Sequence, residues 1–177
     1  MSIDQKPLET LIAKDAIRDL VLLYSRAIDR KDVALLRDLY TADATDDHGW
    51  SFTGPADAYC NFIAQSLPHM PYSGHHVCNH LIAVDGDEGN GEVYAIAWHV
   101  LPDRENPGAR VEDLMLVRYI DNYRRESDGK WRFAKRVVTY DVQMQRPFEG
   151  GGEINKWDVD PSYGVCAMPL FQRGARV

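Results

Sequence analysis

"RVEDLMLVRYIDNYRRESDGKWRFAKRVVTYDVQMQ", residues 110–145, decides the fold. Two long runs rich in β-branched and aromatic residues flank the turn signal "ESDGK", which reads as a hairpin of two long antiparallel strands. Upstream, "HHVCNHLIAV" and "GEVYAIAWHVL" have the same character, and "DGDEGNG" and "PDRENPG" break the chain after each of them. Long strands joined by short turns make an antiparallel meander.

Before residue 70 the period is different. Leu11, Ile12, Ile17, Leu20, Leu23, Tyr24, Ala27 and Ile28 recur at helical spacing over residues 9–29. "DRKD" ends that helix, and Asp32 is placed to cap a second one, "VALLRDLY". "TADATDDHGWSF" reads as a turn and a short strand, and "TGPADAYCNFIAQSL" as a third helix with Pro55 near its first turn. Helices followed by a meander give an α+β layout. Helices packed in the concavity of a strongly curved sheet would leave one deep pocket. Residues 1–147 read as one domain, and 148–177 as an ordered tail rich in Gly and aromatics. Trp157, Tyr163, Met168, Leu170 and Phe171 are too many large apolar groups for a free end. The tail is expected to cover the pocket mouth or a neighbouring subunit.

Composition narrows the function classes. The net charge is −7 and no Lys/Arg cluster is long enough to form a basic face, which argues against nucleic acids and anionic membranes as partners. No apolar run reaches the length of a membrane helix, and the first twenty residues lack the pattern of a signal peptide. Cys60, Cys78 and Cys166 are odd in number and far apart, so they read as reduced thiols and the protein as cytoplasmic.

Three of the six histidines, His75, His76 and His80, fall within "PYSGHHVCNH" at the start of a strand. Neighbours on a strand point opposite ways, so only one of His75 and His76 can face a pocket. On a regular strand His80 shares a side with His76 and lies at the surface. A metal site there lacks an obvious third ligand, and no metal or other cofactor is expected.

Several segments in sequence order resemble the SnoaL-like branch of the nuclear transport factor 2-like superfamily: "LIAKDAIRDLVLLYSRAIDRKDVALLRDLYTADA", "GPADAYCNFI", "HHVCNHLIAVDGD" and "YRRESDGKWRFAKRVV". Members of that branch include scytalone dehydratase, bile acid 7α-dehydratase and hexachlorocyclohexane dehydrochlorinase. The resemblance spans roughly residues 8–145. It implies a cone-shaped α+β barrel with a cystatin-like fold, and a homotrimer or homodimer. It further implies catalytic roles for Tyr24 and Asp29, five apart at the end of the first helix, for His75, four before Asn79, and for Arg136, five after Trp131. The arginine of the bile acid enzyme falls nearer Tyr140, which leaves the electrophilic role between Arg136 and Tyr140.

The residue types suit an elimination. A histidine abstracts protons near neutral pH, and a carboxylate on its other nitrogen fixes the tautomer. The Tyr24 hydroxyl can hold or protonate a leaving oxygen, and Arg136 can balance developing negative charge. By alternation Arg136, Val138, Tyr140, Val142 and Met144 share one face. Tyr140, Trp50, Trp98, His99, Met115 and His48 are expected as substrate contacts; of Trp98 and His99, the sequence does not decide which faces inward. The expected function is a cofactor-independent lyase acting on a small hydroxylated aromatic or polycyclic substrate. Loss of a hydroxyl from a benzylic carbon para to a phenol forms a quinone methide, which can drive loss of a neighbouring hydroxymethyl group as formaldehyde from a lignin-derived aromatic dimer. The alternatives are a structural small subunit of a ring-hydroxylating dioxygenase or a small-ligand binding module, neither of which needs Tyr24, Asp29, His75 and Arg136 in one cavity.

Overall fold

A computed structural model describes residues 5–150 and 157–176. Three helices come first: α1 (Gln5–Asp29), α2 (Val33–Asp38) and α3 (Ala56–Ser66). Between α2 and α3 lie strands β1 (Tyr40–Asp47) and β2 (Thr53–Pro55). Strands β3 (Tyr72–Asp85), β4 (Glu88–Pro102), β5 (Arg110–Arg125) and β6 (Trp131–Pro147) form the meander. The sheet order is β2-β1-β6-β5-β4-β3, antiparallel except that β1 lies parallel to β6. The segment "TADATDDHGWSF", expected as a turn and then a short strand, runs in the other order, strand to Asp47 and then turn, and its strand β1 joins the meander parallel to β6.

Helix α1 buries Ile17, Leu20, Val21, Tyr24, Ala27 and Ile28 at the spacing that puts them on one stripe against the sheet. Lys31, with φ of 52°, turns the chain, and Asp32 caps α2 by accepting from the Leu35 N–H at 3.0 Å. In the β3–β4 hairpin the turn is only Gly86–Asp87; Gly89 and Gly91 belong to β4. A side chain at Gly91 would meet the Tyr123 hydroxyl at 2.6 Å, so the glycine makes room for a buried tyrosine rather than for a turn.

Bulges set which residues face the concavity. An extra residue in β6 between the pairs Leu116–Val142 and Val117–Tyr140 reverses the alternation. Arg136, Val138 and Tyr140 face inward as expected. Val142 and Met144 do not: they pair with Leu116 and Leu114 on the outer face and are 44% and 52% exposed. A second bulge, between Val77 and His80 of β3, turns His80 inward, where its Nε2 lies 3.1 Å from the Tyr123 hydroxyl. His80 is therefore not the surface neighbour of His76 that a regular strand would make it, and the two histidines stand on opposite faces.

The described part of the tail lies along α1, α2 and the link between them. Arg26 donates to Ser162 Oγ (3.1 Å) and to the Phe171 carbonyl (2.7 Å), Arg30 pairs with Asp160 (2.7 Å), and Arg176 pairs with Asp38 (3.0 Å). Residues 151–156 and the Trp157 side chain lie outside the described residues.

Candidate active site

Asp29 ends α1 and His75 opens β3, and the packing of that helix on the sheet brings them together. Asp29 Oδ1 lies 2.7 Å from His75 Nδ1, and Oδ2 accepts the His75 main-chain N–H at 3.0 Å. Ser73 Oγ, two residues earlier on the same face, donates to Oδ1 at 3.0 Å. Burial raises the Asp29 pKa, but the hydrogen bonds and charge of His75, with Ser73, outweigh it and hold the carboxyl below its usual 3.8. An ionised Asp29 fixes the proton on Nδ1 and leaves Nε2 of His75 as the basic nitrogen.

His99 faces inward on β4, its ring 5.5 Å from that of His75. Its Nε2 is buried without a hydrogen-bond partner. Burial and the neighbouring His75 push its pKa down to about 3, so the ring is neutral. Trp98, the adjacent residue, lies on the outer face against Tyr72, with ring centroids 5.7 Å apart. The strand pleat thus assigns the inner position to His99 and removes Trp98 from the expected pocket lining. Met115 is 7% exposed, paired with Ala97, on the same inner face. Trp50 is 75% exposed and tilted against Tyr140, with centroids 6.1 Å apart.

Tyr24 is fully enclosed. Its hydroxyl lies 2.7 Å from that of Tyr59 and 3.3 Å from His48 Nε2, and its ring is edge-on to His75 at 6.4 Å. Burial raises its pKa well above 10.0, only partly offset by Arg136. Arg136 lies behind this ring. Its guanidinium carbon is 4.1 Å from the Tyr24 and Phe133 ring centroids and 4.3 Å from that of Tyr119. Its fork is occupied by Asp121, with Nε and Nη2 each 2.8 Å from a carboxylate oxygen, and only Nη1 lacks a partner. The Tyr140 hydroxyl donates to the His48 carbonyl at 3.4 Å.

Besides Asp121, two further carboxylates of this interior were not expected. Asp46, 1% exposed, contacts His48 Nδ1 and accepts from the Tyr40 hydroxyl at 2.6 Å. Asp113, 4% exposed, has both oxygens bound by the Gln143 amide at 2.9 and 3.0 Å. The "DDH" run was the only signal for the first of them, and nothing local marks the second.

The SnoaL-like domain model matches residues 9–137. No curated protein matches the chain. Among solved structures, a candidate scytalone dehydratase from Novosphingobium aromaticivorans DSM 12444 superposes with a TM-score of 0.66 at 21% identity, covering 80% of this chain and 91% of that one. The hexachlorocyclohexane dehydrochlorinase LinA-type3 from Novosphingobium barchaimii LL02 gives 0.65 at 21% identity, covering 82% and 96%. A candidate dehydratase of the NTF2-like family from Streptomyces avermitilis gives 0.60 at 15% identity, covering 72% and 96%. At these identities the likeness establishes the shared cone-shaped fold. With the domain match running over most of its length, the chain belongs to the SnoaL-like family, whose members include lyases.

Proposed function

We propose that the protein is a cofactor-independent lyase that eliminates water from a small hydroxylated aromatic substrate, with His75 as the base. The supporting observation is the double hold of Asp29 on His75, at ring and main chain, beside the neutral and unpartnered His99. In this reading His75 Nε2 takes the proton, Asp29 stabilises the imidazolium, and Tyr24 hydrogen-bonds the leaving oxygen. His99 supplies a hydrogen bond to a second substrate oxygen. Arg136, with its fork on Asp121, keeps the Tyr24 ring in place rather than meeting the substrate, and Tyr140 is the inward phenol left for an electrophilic role.

The finer reading is a deformylating elimination. In a 1,2-diarylpropane-1,3-diol with a para phenol, departure of the benzylic hydroxyl as water and of the phenol proton to solvent, which returns it when the phenol is restored, gives a quinone methide. His75 then takes the proton of the hydroxymethyl oxygen, the C–C bond breaks, and formaldehyde leaves as the phenol is restored. The products are a stilbene, water and formaldehyde. Incubating purified protein with this diol, and following stilbene absorbance and formaldehyde, tests it. Dehydration without formaldehyde would keep the lyase and discard the C–C cleavage; turnover that survives Asp29→Asn and His75→Gln would discard the dyad.

A homo-oligomer fits the same reading. The outer sheet face exposes Leu81, Tyr94, Leu116, Ile120, Val142 and Met144, apolar side chains that a second copy of the chain would cover.

A further inference from the structure

His48 forms a second imidazole–carboxylate pair, on a different element from the first. Its Nδ1 is held by Asp46, whose other oxygen is taken by Tyr40. This fixes a hydrogen on Nδ1 and turns Nε2 toward two phenols, 3.3 Å from the Tyr24 hydroxyl and 3.2 Å from that of Tyr59. The phenol oxygens are 2.7 Å apart, and the His48 ring stacks on Tyr59 with centroids 4.6 Å apart. Tyr24 therefore sits between two histidine–aspartate pairs, edge-on to His75 and within hydrogen-bond reach of His48.

Counting hydrogens gives this triangle a function. When His48 is neutral, Nε2 is an acceptor, and the two phenol hydrogens are both used within the triangle. When His48 is charged, Nε2 also donates, and one O–H is left over for an outside acceptor. Burial raises the Tyr24 and Tyr59 hydroxyls well above 10.0, so neither phenol gives up a proton unless another replaces it. Other groups around His48 are Asp47 beside it, Tyr140 of β6 against its carbonyl, and Arg136 of β6 over the Tyr24 ring.

We propose that His48 is the proton source for the leaving group, acting through the Tyr24–Tyr59 pair while His75 works as the base. The benzylic C–O bond breaks with its electrons on oxygen. That oxygen takes the phenol hydrogen, the phenol takes the Nε2 hydrogen of His48, and water departs. His48 ends neutral and His75 charged, and exchange with solvent restores both, so no proton is consumed. The proposal rests on the elimination reading above. A merely structural cluster, pinning β1 to α1 and α3, is the competing account.

Kinetics across pH separate the two, using the 1,2-diarylpropane-1,3-diol as probe. His48→Gln is expected to lower kcat about 10²-fold or more with KM within about threefold, and to abolish the fall in rate at high pH. Asp46→Asn, which keeps the volume, should shift that limb. Asp29→Asn should lower kcat yet leave the limb in place. A folded His48→Gln protein that retains the wild-type limb overturns the relay, as does loss of kcat with an unchanged pH profile. If wild-type protein turns over no diol, the elimination reading fails. The relay is then judged by ¹⁵N shifts of the His48 ring: one that stays neutral from pH 5 to 8 overturns it, and one that charges in wild type but not in Asp46→Asn sustains it.

Discussion

Asp29 grips His75 twice, through the Nδ1 position at 2.7 Å and through the main-chain N–H at 3.0 Å. The second contact fixes the start of β3 against the end of α1, so the ring cannot be reoriented without moving backbone. Asp29→Asn keeps the shape but can present an amide N–H to Nδ1, which favours the wrong tautomer. Activity should fall on the order of 10²–10⁴-fold with the fold intact, measured as kcat alongside circular dichroism.

The same pair has a pH signature. The folded pKa of Asp29 lies below 3.8, so its ionisation stabilises the fold above that value, and the contribution is lost as pH falls from about 4 through the folded pKa. Denaturant titrations from pH 5 to pH 2.5 should show a steeper loss of stability in wild type than in Asp29→Asn.

His99 acts at higher pH. Its pKa is depressed from 6.5 to about 3, so the unfolded chain binds the proton first. Stability is complete above about pH 6.5 and declines as pH falls toward 3, by about 2 kcal/mol at pH 5 from this group alone. His80, lowered to about 4 by burial, adds in the same direction. His99→Gln should flatten the melting temperature between pH 7 and 5; a profile identical to wild type would contradict the buried neutral ring.

Arg136 and Asp121 are both wholly buried, and each balances the other's charge. Removing one strands the opposite charge. Asp121→Ala is expected to cost about 3–5 kcal/mol in urea unfolding, and Arg136→Met a similar amount. The double change to Met and Leu should recover much of the loss, because no unpaired charge remains.

The exposed outer face predicts self-association. Wild type should run as a multiple of the chain mass in light scattering, and Leu116→Lys with Val142→Lys should reduce it to the monomer while leaving the melting curve of the folded protein recognisable. A monomeric wild type would show that the face has another use.

The fold was legible because element type depends on local pattern: helical spacing to residue 29, long β-rich runs after residue 70. Facing was less so. On β5 the outward row is Leu114, Leu116, Arg118 and Ile120, whereas the inward row is Asp113, Met115, Val117, Tyr119 and Asp121. Continued to Val111 and Tyr123, the inward row carries five large apolar residues against three outward, but both rows mix apolar with charged residues, and that mixing hides the two buried aspartates. Bulges then moved Val142, Met144 and His80, since one extra residue is invisible in composition. Asp29 and His75 come together through the packing of α1 on β3, across 46 positions of sequence. The resemblance, not periodicity, pointed to that pair.

The extra residue in β6 near Asp141 also bears on how such a cone diversifies. Deleting it would rotate every later side chain of the strand through half a turn about its axis, exchanging Gln143 for Val142 and Met144 on the wall while the hydrogen-bond ladder persisted. Register thus acts as a separate dial from side-chain identity. Two chains with nearly the same backbone and composition can present unlike interiors, and one gained or lost codon is enough to pass between them.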